Sequence, residues 1–242
     1  MDFTDDAYVL SARPFGETGA IVEALTAHHG RWAAHVAGGA SRRLKPILQP
    51  GARVQFAYRS RTFDQLGAAA LEAAGPGPDA LFDDRLALAG LASAAALAQA
   101  LPEREAHPGA FLALESLIGA LADSHVWPAV YVRFEAGLLE EVGFGLDLSR
   151  CAATGSRDDL VYVSPRTGRA VSRDAGRPYH DKLLALPPFL LSSQTGLTEG
   201  DIAAGLALTG HFLEQFLFAP LNRPLPPARH WLLERLRDAG RL

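Results

Sequence analysis

Between residues 31 and 61 the chain carries Arg31, Arg42, Arg43, Lys45, Arg53, Arg59 and Arg61, with His35 among them and no Asp or Glu. Cationic groups with no carboxylate between them are suited to holding an anion, phosphate above all. The positive charge is local. Residues 1–61 hold eight basic and five acidic side chains, whereas residues 62–242 hold fifteen and twenty-two. Within 53–61, Val54, Phe56 and Tyr58 alternate with polar residues. Side chains at i and i+2 of a strand share a face, so this spacing predicts a strand over 53–61 with Arg53, Arg59 and Arg61 pointing outward. A solvated sheet face has the same pattern, and charge counting alone does not separate the two.

Other groupings carry less chemistry. His28-His29 stands beside Gly30, as a surface turn does as readily as a metal ligand pair. His180-Asp181 has the form of an oriented base, but no nucleophile accompanies it. Glu140-Glu141 does acid–base work only inside a cleft and otherwise marks a solvated helix face. Neither G-x-x-x-x-G-K-[ST] nor a G-x-G-x-x-G strand-to-helix turn occurs, so nucleotide hydrolysis and dinucleotide binding have no support. A hydrolase built on His180 and Asp181 remains a reading that His180→Ala would test. Catalysis and a cofactor are not expected.

The elements that must position the basic residues come next. Ala7–Leu10, a segment over 20–26, a segment over 31–37, the strand over 53–61 and a weaker stretch over 65–72 read as five short strands, with Arg13-Pro14-Phe15-Gly16-Glu17 as a turn. Gly38 to Pro46 is a glycine-led basic loop. Five strands in about 75 residues suit an OB barrel, and an SH3-like barrel fits the same pattern. Trp32 and Tyr58 fall on the apolar phase and are expected in the core. Ala74-Gly75-Pro76-Gly77-Pro78 sets an expected domain boundary, giving 1–76 and 77–242. Helical spacing follows over 83–100, 108–124, 128–142, 198–218 and 228–239, which reads as a bundle. Residues 146–180 are turn-rich with one short strand. The class is α+β.

At 242 residues and 48% hydrophobic the chain can bury a sizeable core. Leu86–Leu101 is the nearest thing to a membrane span and falls short of the roughly 18–20 residues needed. The acidic start lacks a signal peptide's features. One cysteine, Cys151, excludes an internal disulfide framework. A cytoplasmic protein with no membrane partner is expected.

The chain resembles the RecO family of recombination mediators. The resemblance runs through Ala7-Tyr8-Val9-Leu10, Arg13, Gly16-Glu17, Ile21-Val22 and His29-Gly30-Arg31, then Gly39-Ala40-Ser41-Arg42-Arg43 and Leu48-Gln49-Pro50. In the second half it covers Arg133-Phe134-Glu135, Leu138-Leu139-Glu140, Gly143-Phe144, Cys151-Ala152-Ala153-Thr154-Gly155, Tyr162-Val163-Ser164-Pro165 and Leu186-Pro187. It implies an N-terminal OB barrel, a helical bundle and a small zinc-ribbon-like insertion. Zinc-binding members carry two C-x-x-C pairs there. Here the positions read Cys151-Ala152-Ala153-Thr154 and Ser172-Arg173-Asp174-Ala175, so a four-ligand site is not expected and Cys151 reads as a small buried hydrophobe.

The resemblance further implies binding of single- and double-stranded DNA, annealing of complementary strands, loading of RecA together with RecR, and nucleoid association. The expected DNA-binding set is Arg31, His35, Arg42, Arg43, Lys45, Arg53, Arg59 and Arg61. It also implies a grip on the acidic, apolar-ended C-terminal tail of the single-stranded DNA-binding protein, for which Arg133 is the candidate. The alternative for Arg133 is a surface arginine paired with a glutamate of its own helix. The alternative for the whole chain is an OB-fold scaffold whose basic face meets an acidic protein.

Overall fold

A computed structural model describes residues 1–62, 65–75, 77–81, 83–192 and 195–242. Contacts divide the chain into two compact units, Met1–Ala122 and Asp123–Leu242. The boundary expected at residue 76 falls on Pro76, outside the described residues.

The first unit is built on five strands: β1 (Asp2–Phe15), β2 (Gly19–Thr26), β3 (Gly30–Val36), β4 (Arg53–Arg59) and β5 (Gly67–Ala73). They close in the order β1-β2-β3-β5-β4, with β3 and β5 parallel and the other pairs antiparallel. This is an OB-type barrel, and it removes the SH3-like alternative. Its interior takes Val9, Val22, Trp32, Val36, Val54, Phe56, Tyr58 and Leu71. Trp32 and Tyr58 are 2% and 1% exposed, so both are core, as their strand phase requires.

Two local expectations are corrected. Arg13-Pro14-Phe15 is strand rather than turn, because β1 continues to Phe15 through a register shift between Val9 and Ser11. Such a bulge bends a long strand around a small barrel. At the other end, β4 stops at Arg59, which leaves Arg61 in the turn beyond it.

Two helices belong to the same unit: α1 (Arg85–Ala98), capped by the Asp84 carboxylate, and α2 (Pro108–Ala120). They lie beside β1, where Tyr8 packs on Phe111 with ring centroids 5.2 Å apart.

In the second unit α3 (Trp127–Glu141) packs on α5 (Asp201–Phe212), with α6 (Pro227–Asp238) nearby in sequence to α5's end. The N-cap residue of α5 is Gly200, and the Thr198 backbone N–H and Oγ donate to the Asp201 carboxylate at 2.7 and 2.8 Å. Between α3 and α5 the insertion holds a three-stranded sheet rather than one strand: β6 (Leu160–Val163), β7 (Ala170–Ser172) and β8 (Leu184–Ala185) in the order β7-β6-β8. A single helical turn, α4 (Arg173–Gly176), follows β7.

Among the described residues, Asp201–Leu221 and not Leu86–Leu101 is the helix long and apolar enough to cross a membrane by length and composition. More than half of it is buried in the fold, as a core helix would be.

Candidate nucleic-acid interface

The eight expected DNA-binding residues divide according to what covers the outside of the barrel. Arg53 lies where α2 approaches β1 and β4. Its Nη1 donates to Glu115 Oε1 at 2.8 Å and its Nη2 to Asp6 Oδ2 at 2.9 Å. Arg31 is held where residues 101–105 pass over β3. It donates to the Leu101 carbonyl at 2.8 Å and pairs with Glu23 at 2.9 Å and Glu103 at 3.2 Å. Both charges are matched by fixed carboxylates, and neither is available as an open cation.

The others stand clear. Leu44 and Leu48 insert into the barrel core, and one turn of 3-10 helix at Lys45–Leu48 follows. That anchoring leaves Arg42, Arg43 and Lys45 exposed on the loop. Arg59 and Arg61 are exposed at the end of β4 and just beyond it. None of these five makes an ion pair among the described residues.

Strand register orders the rest of this side. Arg13 pairs with Ile21, Ile21 with His35, His35 with Ala68, and Ala68 with Arg59. Cross-strand partners point to the same face, so one row runs over four strand steps with a cation at each end. His35 is half-buried, packed edge-on to Phe15 at 5.6 Å and lying over Gly19, where a side chain would collide with its ring. A cavity of about 440 Å³ adjoins the row between the end of β1 and the basic loop, with Arg13 and Lys45 in its wall. Arg13 and Phe15 lie outside the set expected from the sequence. Their signal was the alternation Ser11, Arg13, Phe15, which a turn assigned to 13–17 concealed.

The remaining candidates have structural settings. His28 and His29 both direct Nδ1 at the buried Asp5 carboxylate, at 2.9 and 2.8 Å. Burial pushes Asp5 upward, but these hydrogen bonds prevail and hold it below the usual carboxylate range. The Asp5 carboxylate thereby ties the β2–β3 turn to β1. His180 and Asp181 contact each other at 2.8 Å and are both exposed. Glu140 is exposed. No group of three or more His, Cys, Asp or Glu gathers among the described residues.

The insertion keeps the outline of a metal knuckle with hydrogen bonds at its centre. Cys151 Sγ accepts from Ser172 N–H at 3.2 Å and Ser172 Oγ at 3.4 Å, and also from Thr154. Three of the four expected ligand positions therefore meet, but two are hydroxyl residues that donate to the single sulfur. Burial raises the Cys151 thiol, and the Ser172 and Thr154 donors outweigh it, lowering the group to about 6. The reading of Cys151 as a plain hydrophobe is correct in its burial and incomplete in its chemistry.

In the second unit, no ion pair between Arg133 and a glutamate of its own helix is found among the described residues. Its Nη2 donates to the carbonyls of Phe189 at 2.6 Å and Ser192 at 3.3 Å, with the guanidinium 5.9 Å from the Phe189 ring centroid. It borders a cavity of about 430 Å³ whose wall includes Leu146, Leu148 and Leu190 but also Glu140 and Asp147.

Comparison with known proteins adds relatives to this geometry. A family model described as Recombination protein O N terminal matches residues 1–71, and one described as Recombination protein O C terminal matches residues 83–224. DNA repair protein RecO of Phenylobacterium zucineum (strain HLK1) is 73% identical over 243 residues, covering 100% of both chains. Its counterpart from Caulobacter vibrioides (strain NA1000 / CB15N) is 72% identical with the same coverage. That of Rhodospirillum centenum is 53% identical over 99% of this chain and 96% of its own.

Proposed function

This chain belongs to the RecO family of DNA repair proteins, and from that premise we propose that it is a non-catalytic recombination mediator that binds DNA through its barrel. The observation that carries the reading is the set Arg42, Arg43, Lys45, Arg59 and Arg61, exposed on the barrel's loop and strand end and without ion-pair partners among the described residues. Such groups neutralise phosphates irrespective of sequence and release counterions as they do so. Single and double strands both present that backbone, and holding two single strands on phosphate contacts leaves their bases free to pair. Strand annealing, and loading of RecA with RecR onto strands coated by the single-stranded DNA-binding protein, follow on this reading. Residues 1–76 serve as the DNA module and 77–242 as the part that meets proteins, with the tail of the single-stranded DNA-binding protein at Arg133. The setting is the cytoplasm, on the nucleoid.

Fluorescence anisotropy on labelled oligonucleotides across a salt series tests this. Binding should fall steeply with salt and show no sequence preference. Replacing Arg42, Arg43 and Lys45 by Ala should shallow the single-strand log K against log[salt] slope by about 2, at about 0.7 per phosphate contact. An unchanged slope would move the DNA site elsewhere.

A further inference from the structure

Phosphate contacts alone do not account for the middle of the register row. Arg13 and Arg59 end it, but its floor is Ile21 and Ala68, and His35 stands at the centre with Phe15 against it. Phe15 is 50% exposed. A half-exposed Phe held edge-on to a ring gains little from burial, so its position is not explained by the barrel core. Adjacent strands lie about 4.8 Å apart, so the row follows a path of about 19 Å round the curved barrel wall from Arg13 to Arg59. The row thus places the His35 ring between two cations, with Ile21 and Ala68 on either side and Phe15, which pairs with Gly19 one row further along β1, packed against it.

We propose that Phe15 and His35 form a stacking step for an unpaired base, making this row a path for single-stranded DNA in particular. The inference rests on the DNA-binding reading and deepens it. Charge complementarity selects the occupant: a polyanion whose charges flank flat apolar groups matches cations at the ends and rings between. A duplex keeps its bases stacked on one another and offers this step only its backbone. Gly19 belongs to the same device, since the His35 ring occupies the space a β-carbon would need. Arg13 and Lys45, bordering the adjoining cavity, extend the cationic edge towards the basic loop.

The test compares wild type with Phe15→Ala and Phe15→Trp on three ligands: an oligothymidylate, an abasic strand of the same length, and a blunt duplex. Losing one stacked base should weaken oligothymidylate binding by about 5- to 150-fold. The duplex, the abasic strand and the salt slope should be unaffected. Phe15→Trp should bind as wild type does or tighter, which separates loss of a ring from loss of fold. Equal binding of oligothymidylate by wild type and Phe15→Ala overturns the stacking step while leaving the DNA reading intact. Failure of wild type to bind any of the three overturns both. Polyglutamate serves as a fourth ligand: if Phe15→Ala loses affinity for it and not for oligothymidylate, the row belongs to an acidic protein segment and the proposal fails.

Discussion

Arg53 Nη1 lies 2.8 Å from Glu115 Oε1, across sixty-two residues of sequence, and its Nη2 lies 2.9 Å from Asp6. The clearest basic strand residue therefore serves to join β4, β1 and α2. A cation held between two carboxylates has less to gain from a phosphate, which would have to displace one of them.

Arg53→Ala should accordingly leave DNA binding nearly unchanged, with a salt slope within about 0.3 of wild type where each true phosphate contact counts for about 0.7. Stability should drop by up to about 1 kcal/mol, the scale of a partly exposed ion pair. A loss of slope as large as that of the loop variant would return Arg53 to the interface.

The Cys151 site should make stability depend on pH with a definite sign. Its folded pKa, about 6, is below the ordinary thiol value of 9.0. The stabilisation is thus present above about pH 9 and is lost as pH falls through about 6. Urea midpoints of wild type and Cys151→Ala should differ more at pH 9 than at pH 5.5. The difference should be about 1.5–3 kcal/mol, the range for hydrogen bonds to a charged group. A difference that does not vary with pH would mean a neutral thiol. Elemental analysis should find far less than one zinc per chain.

Glu135 and Arg229 form a buried pair, with Nε 2.6 Å from Oε1, and Thr209 also reaches the carboxylate. The arginine further donates to the Leu206 carbonyl at 2.7 Å. Burial disfavours the charged guanidinium, but Glu135 raises its pKa above the ordinary arginine range. Arg229→Met should cost about 3–5 kcal/mol because it leaves an uncompensated carboxylate. Glu135→Leu/Arg229→Met should recover part of that loss. Calorimetry on both variants decides it; a double variant no better than the single one contradicts this account.

Asp5 has the same sign of linkage at lower pH. Its folded pKa is depressed by His28 and His29, so its contribution is present above about pH 4 and is lost as pH falls through the lower folded value. Asp5→Asn should lower stability at pH 7 and show a shallower acid loss than wild type below pH 4. Parallel acid limbs would show that Asp5 does not titrate with unfolding.

At Arg133 the proposed tail site predicts that Arg133→Ala weakens binding of an acidic, apolar-ended peptide by roughly 1.5–3 kcal/mol. Bare-DNA binding should not change. Because the guanidinium also holds the Phe189 and Ser192 carbonyls, the thermal midpoint must be measured alongside. Unaltered peptide binding in the variant would exclude this residue.

The sequence by itself determined which way side chains point. Val54, Phe56 and Tyr58 go inward because a strand repeats every two residues, and the helical stretches follow from the 3.6-residue period. It also determined that the insertion lacks four sulfurs. Tertiary structure decided what lies over the outward faces. Arg31 and Arg53 read like Arg59 in sequence, yet they meet Leu101 and Glu115, seventy and sixty-two residues away. The row from Arg13 to Arg59 exists only through the register of five strands, including a parallel pair between β3 and β5. Pleat periodicity is local and legible along the chain. Which residues become neighbours across strands, and which cations gain carboxylates, depends on closure of the barrel and on where its helices settle.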